Sequence, residues 1–192
     1  MRPWISFFSQ TGTEIHNLTN ALNIYPSCIV TNKQDHTTTN SCLLATTEFR
    51  QHKLNLSNLW VQLPKTPTVD EYKKVLDNFN NPVITLHGYL RIIPKEICEK
   101  YEIYNLHPGL IDKYPSLKGF NPQERAFREG YKLAGCVIHR VVPEVDAGEI
   151  LLSQGINIEG MDLSEVYNAL HKTAFDLWKS FFTGYNILKD ES

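Results

Sequence analysis

Short apolar runs alternate with segments of helical periodicity over the first half of the chain. Strands are predicted where the runs are compact, at residues 4–8, 28–31, 59–63, 83–86 and 103–106. Helices are predicted over 14–22 and 69–79, where apolar residues recur at helical spacing. Strands that alternate with helices in this way are typical of a parallel α/β sheet.

A different pattern follows Gly135. Residues 136–142 and 150–154 are β-rich and flank a short acidic segment, which predicts an antiparallel pair. Residues 163–182 carry one apolar side and predict a long closing helix. The expected fold class is α/β: a Rossmann-like, mostly parallel sheet flanked by helices, with a C-terminal antiparallel β addition and a closing helix. The length of 192 residues suits a single domain.

Composition excludes several classes of function and leaves the predicted fold as it is. The net charge of −2, from 19 basic and 21 acidic residues, lacks the basic excess typical of nucleic-acid binding. No apolar run approaches the roughly 18 residues that a membrane span needs. We therefore expect a cytoplasmic protein, monomer or homodimer, with small-molecule substrates and no nucleic-acid or membrane partner. The four cysteines form no CxxC pair, which favours reduced, mostly buried thiols and no metal site.

Polar side chains follow the predicted fifth strand, in Asn105-Leu106-His107-Pro108-Gly109. Ligands of open α/β sheets bind at the carboxyl ends of the strands. Residues two apart on a strand point to the same side, so Asn105 and His107 are suited to act on one bound group. The alternative, a loop histidine capped by a backbone carbonyl, stays open at this point.

Three acids lie within six residues between the two late strands, from Glu144 to Glu149. An ordinary exposed turn has the same composition. Asp146 differs from the other two acids because the small residues Ala147 and Gly148 follow it, and small neighbours let a ligand approach the backbone closely.

The turn after the first predicted strand is a weaker candidate. Ser9-Gln10-Thr11-Gly12-Thr13-Glu14 leads into a predicted helix, and the N–H groups at a helix N-terminus attract anions such as phosphate. The turn has neither the glycine spacing of a dinucleotide-binding motif nor the lysine of a P-loop.

Taken together, these motifs resemble the phosphoribosylglycinamide formyltransferase family. Five segments match its catalytic half in order and spacing: His87–Ile93, Asn105–Leu110, Lys113–Pro115, Gly135–His139 and Val145–Gly148. A weaker N-terminal match adds Gly12-Thr13 at the substrate-phosphate turn. The resemblance covers nearly the whole chain.

The resemblance implies formyl transfer from 10-formyltetrahydrofolate to an amine, as in the one-carbon metabolism of purine biosynthesis. It implies that Asn105 and His107 stabilise the formyl oxygen and that Asp146 accepts the proton from the attacking nitrogen. A carboxylate near His107 would raise the pKa of that imidazole. It implies residues 1–100 as a nucleotide- and phosphate-binding half and 101–192 as a catalytic and folate-binding half.

The resemblance also assigns residues to the two substrates, and it implies no metal. For the folate they are Tyr89, Leu90, Arg91, Ile92, Val141, Val142 and Glu144. For the acceptor they are Gly12, Thr13, Glu14, Gly88, Pro108 and His171.

Two departures from the family lie on the acceptor side. Glu14 stands where the phosphate turn usually has asparagine, and His171 stands where the last helix tends to carry a glutamate. A carboxylate repels a phosphate unless it points away or pairs with a base. These departures support the reaction type better than they support phosphoribosylglycinamide as the acceptor. It is the first candidate because the length of 192 residues favours this compact type. An amino-sugar nucleotide or another amine is the alternative, and a non-catalytic folate- or nucleotide-binding module is the alternative from another class.

Overall fold

The computed structural model describes residues 1–56, 59–185 and 187–189. Within these ranges the chain forms seven strands, six α-helices and one 3-10 helix. It divides into two compact units. The first unit is Met1–Ile103 with the C-terminal residues from Ile187, and the second begins at Tyr104 and includes the long last helix.

The first unit is built on four parallel strands. They are β1 (Trp4–Phe8), β2 (Cys28–Thr31), β3 (Trp60–Gln62) and β4 (Val83–Leu86), in the order β3-β2-β1-β4. Every residue of β1, β2 and β4 is buried, as expected for parallel strands that are covered on both faces. The sequence predicted all four strands, and β3 in the structure is one residue shorter at each end than predicted.

Four helices belong to this unit: α1 (Thr13–Leu22), α2 (Ser41–Leu54), α3 (Val69–Leu76) and α4 (Lys95–Lys100). The periodicity predicted α1 and α3. It missed α2 because this helix buries only Leu43 and Thr47, so its apolar residues follow no helical spacing. Its start is marked by Asn40, whose side chain accepts a hydrogen bond from the Leu43 N–H.

The second unit contains three antiparallel strands and two helices. The strands are β5 (Glu102–His107), β6 (Leu133–Arg140) and β7 (Ile150–Asn157), in the order β5-β6-β7, with the first two residues of β5 counted in the first unit. The helices are α5 (Pro122–Arg128) and α6 (Leu163–Gly184), and a 3-10 helix spans Pro115–Leu117. The predicted α/β class, with its antiparallel C-terminal addition and closing helix, is confirmed.

The closing helix α6 is fixed at its start and along one side. Asp162 and Glu165 form a capping box that satisfies two backbone N–H groups. The buried side includes Val166, Leu170 and Phe181, at the spacing that predicted the helix. In the part of the chain that the structure describes, no helix is both long and apolar enough to cross a membrane.

The carboxyl ends of the parallel strands meet through hydrogen bonds. Ser9, after β1, donates its backbone N–H to the Gly88 carbonyl over 3.2 Å. The Ser9 hydroxyl contacts Asn32 Oδ1, after β2, at 2.6 Å and accepts from the Leu90 N–H at 2.9 Å. The first-unit residues expected to bind the acceptor and the folate thus lie at one edge of this sheet.

Candidate active site

The second unit brings the predicted catalytic residues together through a strand pair. In the β5–β6 register, Asn105 lies opposite His139 and His107 lies opposite Val137. Opposed side chains on an antiparallel pair are direct neighbours. Asn105 Nδ2 lies 3.3 Å from His139 Nε2, so the strand pairing itself delivers an amide beside an imidazole.

Asp146 reaches this strand pair from the turn between β6 and β7. Its backbone has φ of 51°, in the left-handed region that aspartate tolerates better than most residues. Gly148 permits the turn, since a Cβ at this position would lie 1.8 Å from the Arg140 carbonyl oxygen. The backbone N–H of Gly119 donates to Asp146 Oδ2 over 2.8 Å and fixes the carboxylate.

The Asp146 carboxylate lies between two histidines. Its Oδ2 is 3.2 Å from His107 Nδ1 and its Oδ1 is 3.4 Å from His139 Nε2. The side chains of all three residues are less than a tenth exposed. Asn105, His107 and Asp146 therefore converge on one cluster, with His139 as the link between Asn105 and Asp146.

Backbone carbonyls determine which nitrogen of each histidine carries a proton. His107 Nε2 lies 2.8 Å from the Leu117 oxygen, and His139 Nδ1 lies 2.9 Å from the Arg140 oxygen. A carbonyl oxygen only accepts, so these two nitrogens are the N–H donors. The other nitrogen of each ring faces the Asp146 carboxylate.

Burial and charge act in opposite directions on this cluster. Burial lowers the pKa of His107 below its ordinary value, and it outweighs the raising effects of Asp146 and of the Leu117 carbonyl. The carboxylate acts on His107 in the expected direction, but the expectation that the charged form of the imidazole is favoured is wrong, because burial has the larger effect on the pKa. For Asp146 burial alone would raise the pKa, but the contact with His139 Nε2, the electrostatic effect of His107 and the hydrogen bond from the Gly119 N–H together lower it.

His139 is a residue of this cluster that the sequence did not predict as a site residue. In the sequence it marks only the end of one of the segments that resemble the family. The feature that identifies His139 is the register between β5 and β6, which places it opposite Asn105. An antiparallel register cannot be read from one sequence without the intervening turn geometry.

In the first unit, the candidate acceptor turn joins β1 to α1. Gly12 has φ of 71°, and a Cβ there would meet Leu43 Cδ2 at 2.6 Å, so the position requires glycine. Thr13 is exposed and Glu14 is half-buried. Gly88 has φ of 64° and follows β4 at the same edge of the sheet.

Glu14 is bound to a buried base. Its Oε2 lies 2.6 Å from Nδ1 of His87, a side chain with no solvent exposure. His87 Nε2 lies 2.8 Å from Thr85 Oγ1, which accepts a hydrogen bond from Trp4 Nε1–H over 2.7 Å. The carboxylate is therefore oriented by a chain of buried hydrogen bonds that begins on β1.

The predicted folate residues of the first unit divide by exposure. Tyr89 is buried against Phe7 and shares a hydrogen bond of 2.8 Å with the Tyr72 hydroxyl, so its side chain packs in the core of this unit. Burial raises the pKa of Tyr89. Leu90 and Ile92 are the exposed pair, at 55% and 75%, and Arg91 Nε donates to the Lys65 carbonyl.

The remaining predicted residues lie in the second unit. Val141, Val142 and Pro108 are half-buried, and Glu144 is exposed on the turn that carries Asp146. His171 is exposed on α6. Their assignments to the folate or the acceptor stay predictions.

Comparison with known proteins identifies the family of the chain. The family described as Formyl transferase matches residues 5–178. Phosphoribosylglycinamide formyltransferase of Bacillus subtilis is 34% identical over 93 residues, which cover 47% of this chain and 46% of that protein. Methionyl-tRNA formyltransferase of Thermotoga neapolitana is 33% identical over 118 residues, which cover 60% of this chain and 36% of that protein.

The chain spans less than half the length of each of these two relatives. The solved structure of phosphoribosylglycinamide formyltransferase from Brucella melitensis shares the fold, with a TM-score of 0.76 and 21% identity over 100% of this chain and 98% of that one. Because the family match extends over most of its residues, the chain belongs to the formyl transferase family.

Proposed function

We propose that the chain transfers the formyl group of 10-formyltetrahydrofolate to an amine, with Asn105, His107 and Asp146 as catalytic residues. The observation that carries the proposal is the buried cluster in which Asp146 lies between His107 and His139, with Asn105 beside it. The reaction needs a donor for the formyl oxygen and an acceptor for one proton, and this cluster supplies both.

Asn105 is the direct donor to the formyl oxygen in this proposal. Its amide nitrogen carries two hydrogens, and the contact with His139 engages one of them. The second is donated to the oxygen, on which negative charge develops as the acceptor nitrogen attacks. A preorganised donor of this kind contributes about 3–4 kcal/mol to transition-state stabilisation.

Asp146 is the proton acceptor. As the new carbon–nitrogen bond forms, Asp146 takes a proton from the attacking nitrogen, directly or through one water. His107 Nδ1, 3.2 Å away, is the next acceptor, and the lowered pKa of His107 keeps this nitrogen unprotonated at pH 7. The proton then passes to N10 of the folate as its bond to the formyl carbon breaks, which balances the transfer.

His107 contributes charge more than a direct hydrogen bond. Its Nε2–H is bound to the Leu117 carbonyl, so direct donation to the formyl oxygen requires that carbonyl to be exchanged for the substrate. The imidazole becomes a cation when it holds the proton at Nδ1, and the positive charge stabilises the negative oxygen nearby.

The residues assigned to the folate are chemically suited to its pteridine, a flat ring with amide-like hydrogen-bonding groups. Leu90 and Ile92 expose apolar side chains on either side of Arg91 in the first unit. Val141 and Val142 are half-buried in the second unit, next to the turn that carries Asp146. Ligand sites of this type combine apolar side chains with backbone hydrogen-bonding groups, and both segments offer the two together.

We propose phosphoribosylglycinamide as the acceptor, with the Gly12–Glu14 turn near its phosphate. The bond between Glu14 and His87 supports this assignment, because the carboxylate has a buried base as its partner. Pairing with a base is one of the two arrangements in which a carboxylate is compatible with a nearby phosphate, and the Glu14–His87 contact provides it.

Replacing Glu14 with asparagine tests this interpretation of the turn. We expect the KM for phosphoribosylglycinamide to change by less than about threefold, since a carboxylate bound to His87 adds little repulsion at the phosphate. We expect the free energy of unfolding to fall by about 1–3 kcal/mol, because the buried imidazole loses its charged partner. Initial rates and urea denaturation measure the two quantities, and Glu48→Gln, an exposed acid of the same unit, is the control. A KM that falls several-fold would mean that Glu14 faces the phosphate.

A panel assay tests the function. The protein and 10-formyltetrahydrofolate are incubated with phosphoribosylglycinamide, an amino-sugar nucleotide or an aminoacyl-tRNA that accepts formyl groups, and tetrahydrofolate formation is followed. We expect turnover with phosphoribosylglycinamide. Turnover with another acceptor alone would retain the reaction type and reject the acceptor, and no turnover with any of them would contradict the proposal.

A further inference from the structure

The segment Ser116–Gly119 is bonded to the catalytic cluster through its backbone. The Leu117 carbonyl accepts from His107 Nε2–H over 2.8 Å, and the Gly119 N–H donates to Asp146 Oδ2 over 2.8 Å. Two backbone groups of one short segment thus determine which imidazole nitrogen faces Asp146 and where the facing carboxylate oxygen lies.

Arg125 holds the same segment from α5. Its Nη1 donates to the Ser116 carbonyl over 2.6 Å, and its Nη2 donates to the Lys118 carbonyl over 2.7 Å. These carbonyls flank the Leu117 carbonyl in sequence. A planar guanidinium with a rigid fork of donors binds two acceptors at once, which a lysine ammonium cannot do in a fixed geometry.

Neighbouring residues of α5 show that this contact is specific to Arg125. Pro122 and Ala126 are the buried residues of the helix and anchor it. Arg128 lies one turn further on, 73% exposed, and pairs with Glu124 on the helix surface over 2.5 Å. The two arginines share a helix and a charge, and only Arg125 is bonded to the segment next to the catalytic cluster.

We propose that Arg125 is a positioning residue for formyl transfer. By fixing the peptide units on both sides of the one that carries the Leu117 carbonyl, it keeps the His107 proton on Nε2. The second of these units carries the Gly119 N–H, through which Arg125 keeps Asp146 Oδ2 beside Nδ1. Among the residues that the structure describes, Arg125 donates to these two backbone carbonyls and makes no hydrogen bond to Asn105, His107 or Asp146. The expected effect of Arg125 on turnover rests on the proposed function. The expected effect of Arg125 on the order of Ser116–Gly119 rests on the structure alone.

The kinetic test replaces Arg125 with glutamine and with lysine. We expect Arg125→Gln to lower kcat by at least about tenfold, as is typical when a residue that orients catalytic side chains is removed. We expect the KM of each substrate to stay within about twofold, because the lost interaction orients the reacting groups and binds neither substrate. Arg125→Lys keeps the positive charge but lacks the planar pair of N–H donors, so its kcat should lie between that of Arg125→Gln and that of the wild type. Arg128→Gln should match the wild type.

A second measurement does not depend on activity. Amide hydrogen exchange of Gly119 and the ¹⁵N chemical shifts of His107 are recorded for the wild type, Arg125→Gln and Arg128→Gln. We expect Gly119 exchange to be at least about tenfold faster in Arg125→Gln alone, because releasing the segment exposes this N–H more often. The His107 shifts of that variant should lose the signature of a single Nε2–H tautomer.

The two readouts separate this inference from the proposed function. Unchanged exchange at Gly119 and unchanged His107 shifts in Arg125→Gln would overturn the inference, whether or not formyl transfer is observed. Full wild-type kcat in Arg125→Lys would also overturn it, since charge alone would then suffice. Faster exchange in a protein that transfers no formyl group would reject the proposed function and retain the contact. If Arg125→Gln does not fold, Arg125→Lys is used for both measurements.

Discussion

Replacing Asp146 with asparagine is expected to lower kcat by at least about 100-fold, the usual contribution of a positioned general base. Asparagine keeps the shape of the side chain and an oxygen for the Gly119 N–H, and it tolerates the left-handed backbone at this position. It cannot take the proton from the attacking nitrogen. Steady-state kinetics with both substrates saturating measures the loss of kcat.

The matched control for this substitution is Glu149→Gln, which removes an exposed acid from the same stretch between β6 and β7. Its kcat should equal that of the wild type. Circular dichroism should be unchanged in both variants. If Asp146→Asn retains more than about a tenth of the wild-type kcat, Asp146 is not the base, because a tenfold loss is too small for that role.

Replacing His107 with alanine is expected to lower kcat by about 100-fold or more, through loss of the proton acceptor next to Asp146 and of the positive charge near the formyl oxygen. The variant also leaves the buried Leu117 carbonyl without its donor, at a cost of about 1–3 kcal/mol in the free energy of unfolding. Thermal unfolding is therefore measured together with kcat.

A second variant, His107→Gln, separates catalysis from stability. The glutamine amide is able to donate to a carbonyl but takes up no proton near neutral pH. We expect the unfolding free energy of this variant to recover toward the wild type while kcat stays low. His52→Ala, an exposed histidine on α2, is the control. Recovery of kcat in His107→Gln would show that His107 acts only as a structural donor.

The sequence predicted the elements whose burial pattern is strong. The fully buried runs β1, β2 and β4 and the one-sided helix α6 follow directly from apolar spacing. Helix α2 was missed because most of its surface is exposed, and α5 was missed because its seven residues are too short to establish a period.

Three residues of the candidate site were predictable from the sequence, but their tertiary contacts were not. Asn105 and His107 could be placed by their position at the end of a strand, and Asp146 by the small residues that follow it. The bond between Glu14 and His87 joins residues 73 positions apart, and the sequence gives no pattern that pairs them. The pKa of His107 was expected to rise because the carboxylate was foreseen, whereas the burial that outweighs it depends on tertiary packing.

The contacts of Arg125 belong to the same class of unpredictable features. Its partners are backbone carbonyls, and any residue of the Ser116–Gly119 segment supplies a carbonyl whatever its side chain. A sequence pattern records side chains only. Interactions of a side chain with backbone groups therefore emerge only once the course of the chain is known.

The most direct test of formyl transfer through this cluster uses a labelled donor. The wild type and Asp146→Asn are each incubated with 10-formyltetrahydrofolate that carries ¹³C in its formyl group and with phosphoribosylglycinamide, and the acceptor is analysed by mass spectrometry. We predict that the wild type converts the acceptor to its ¹³C-formyl amide and that Asp146→Asn forms this product at least about 100-fold more slowly. No labelled amide with the wild type, or equal rates for the two proteins, would contradict the account.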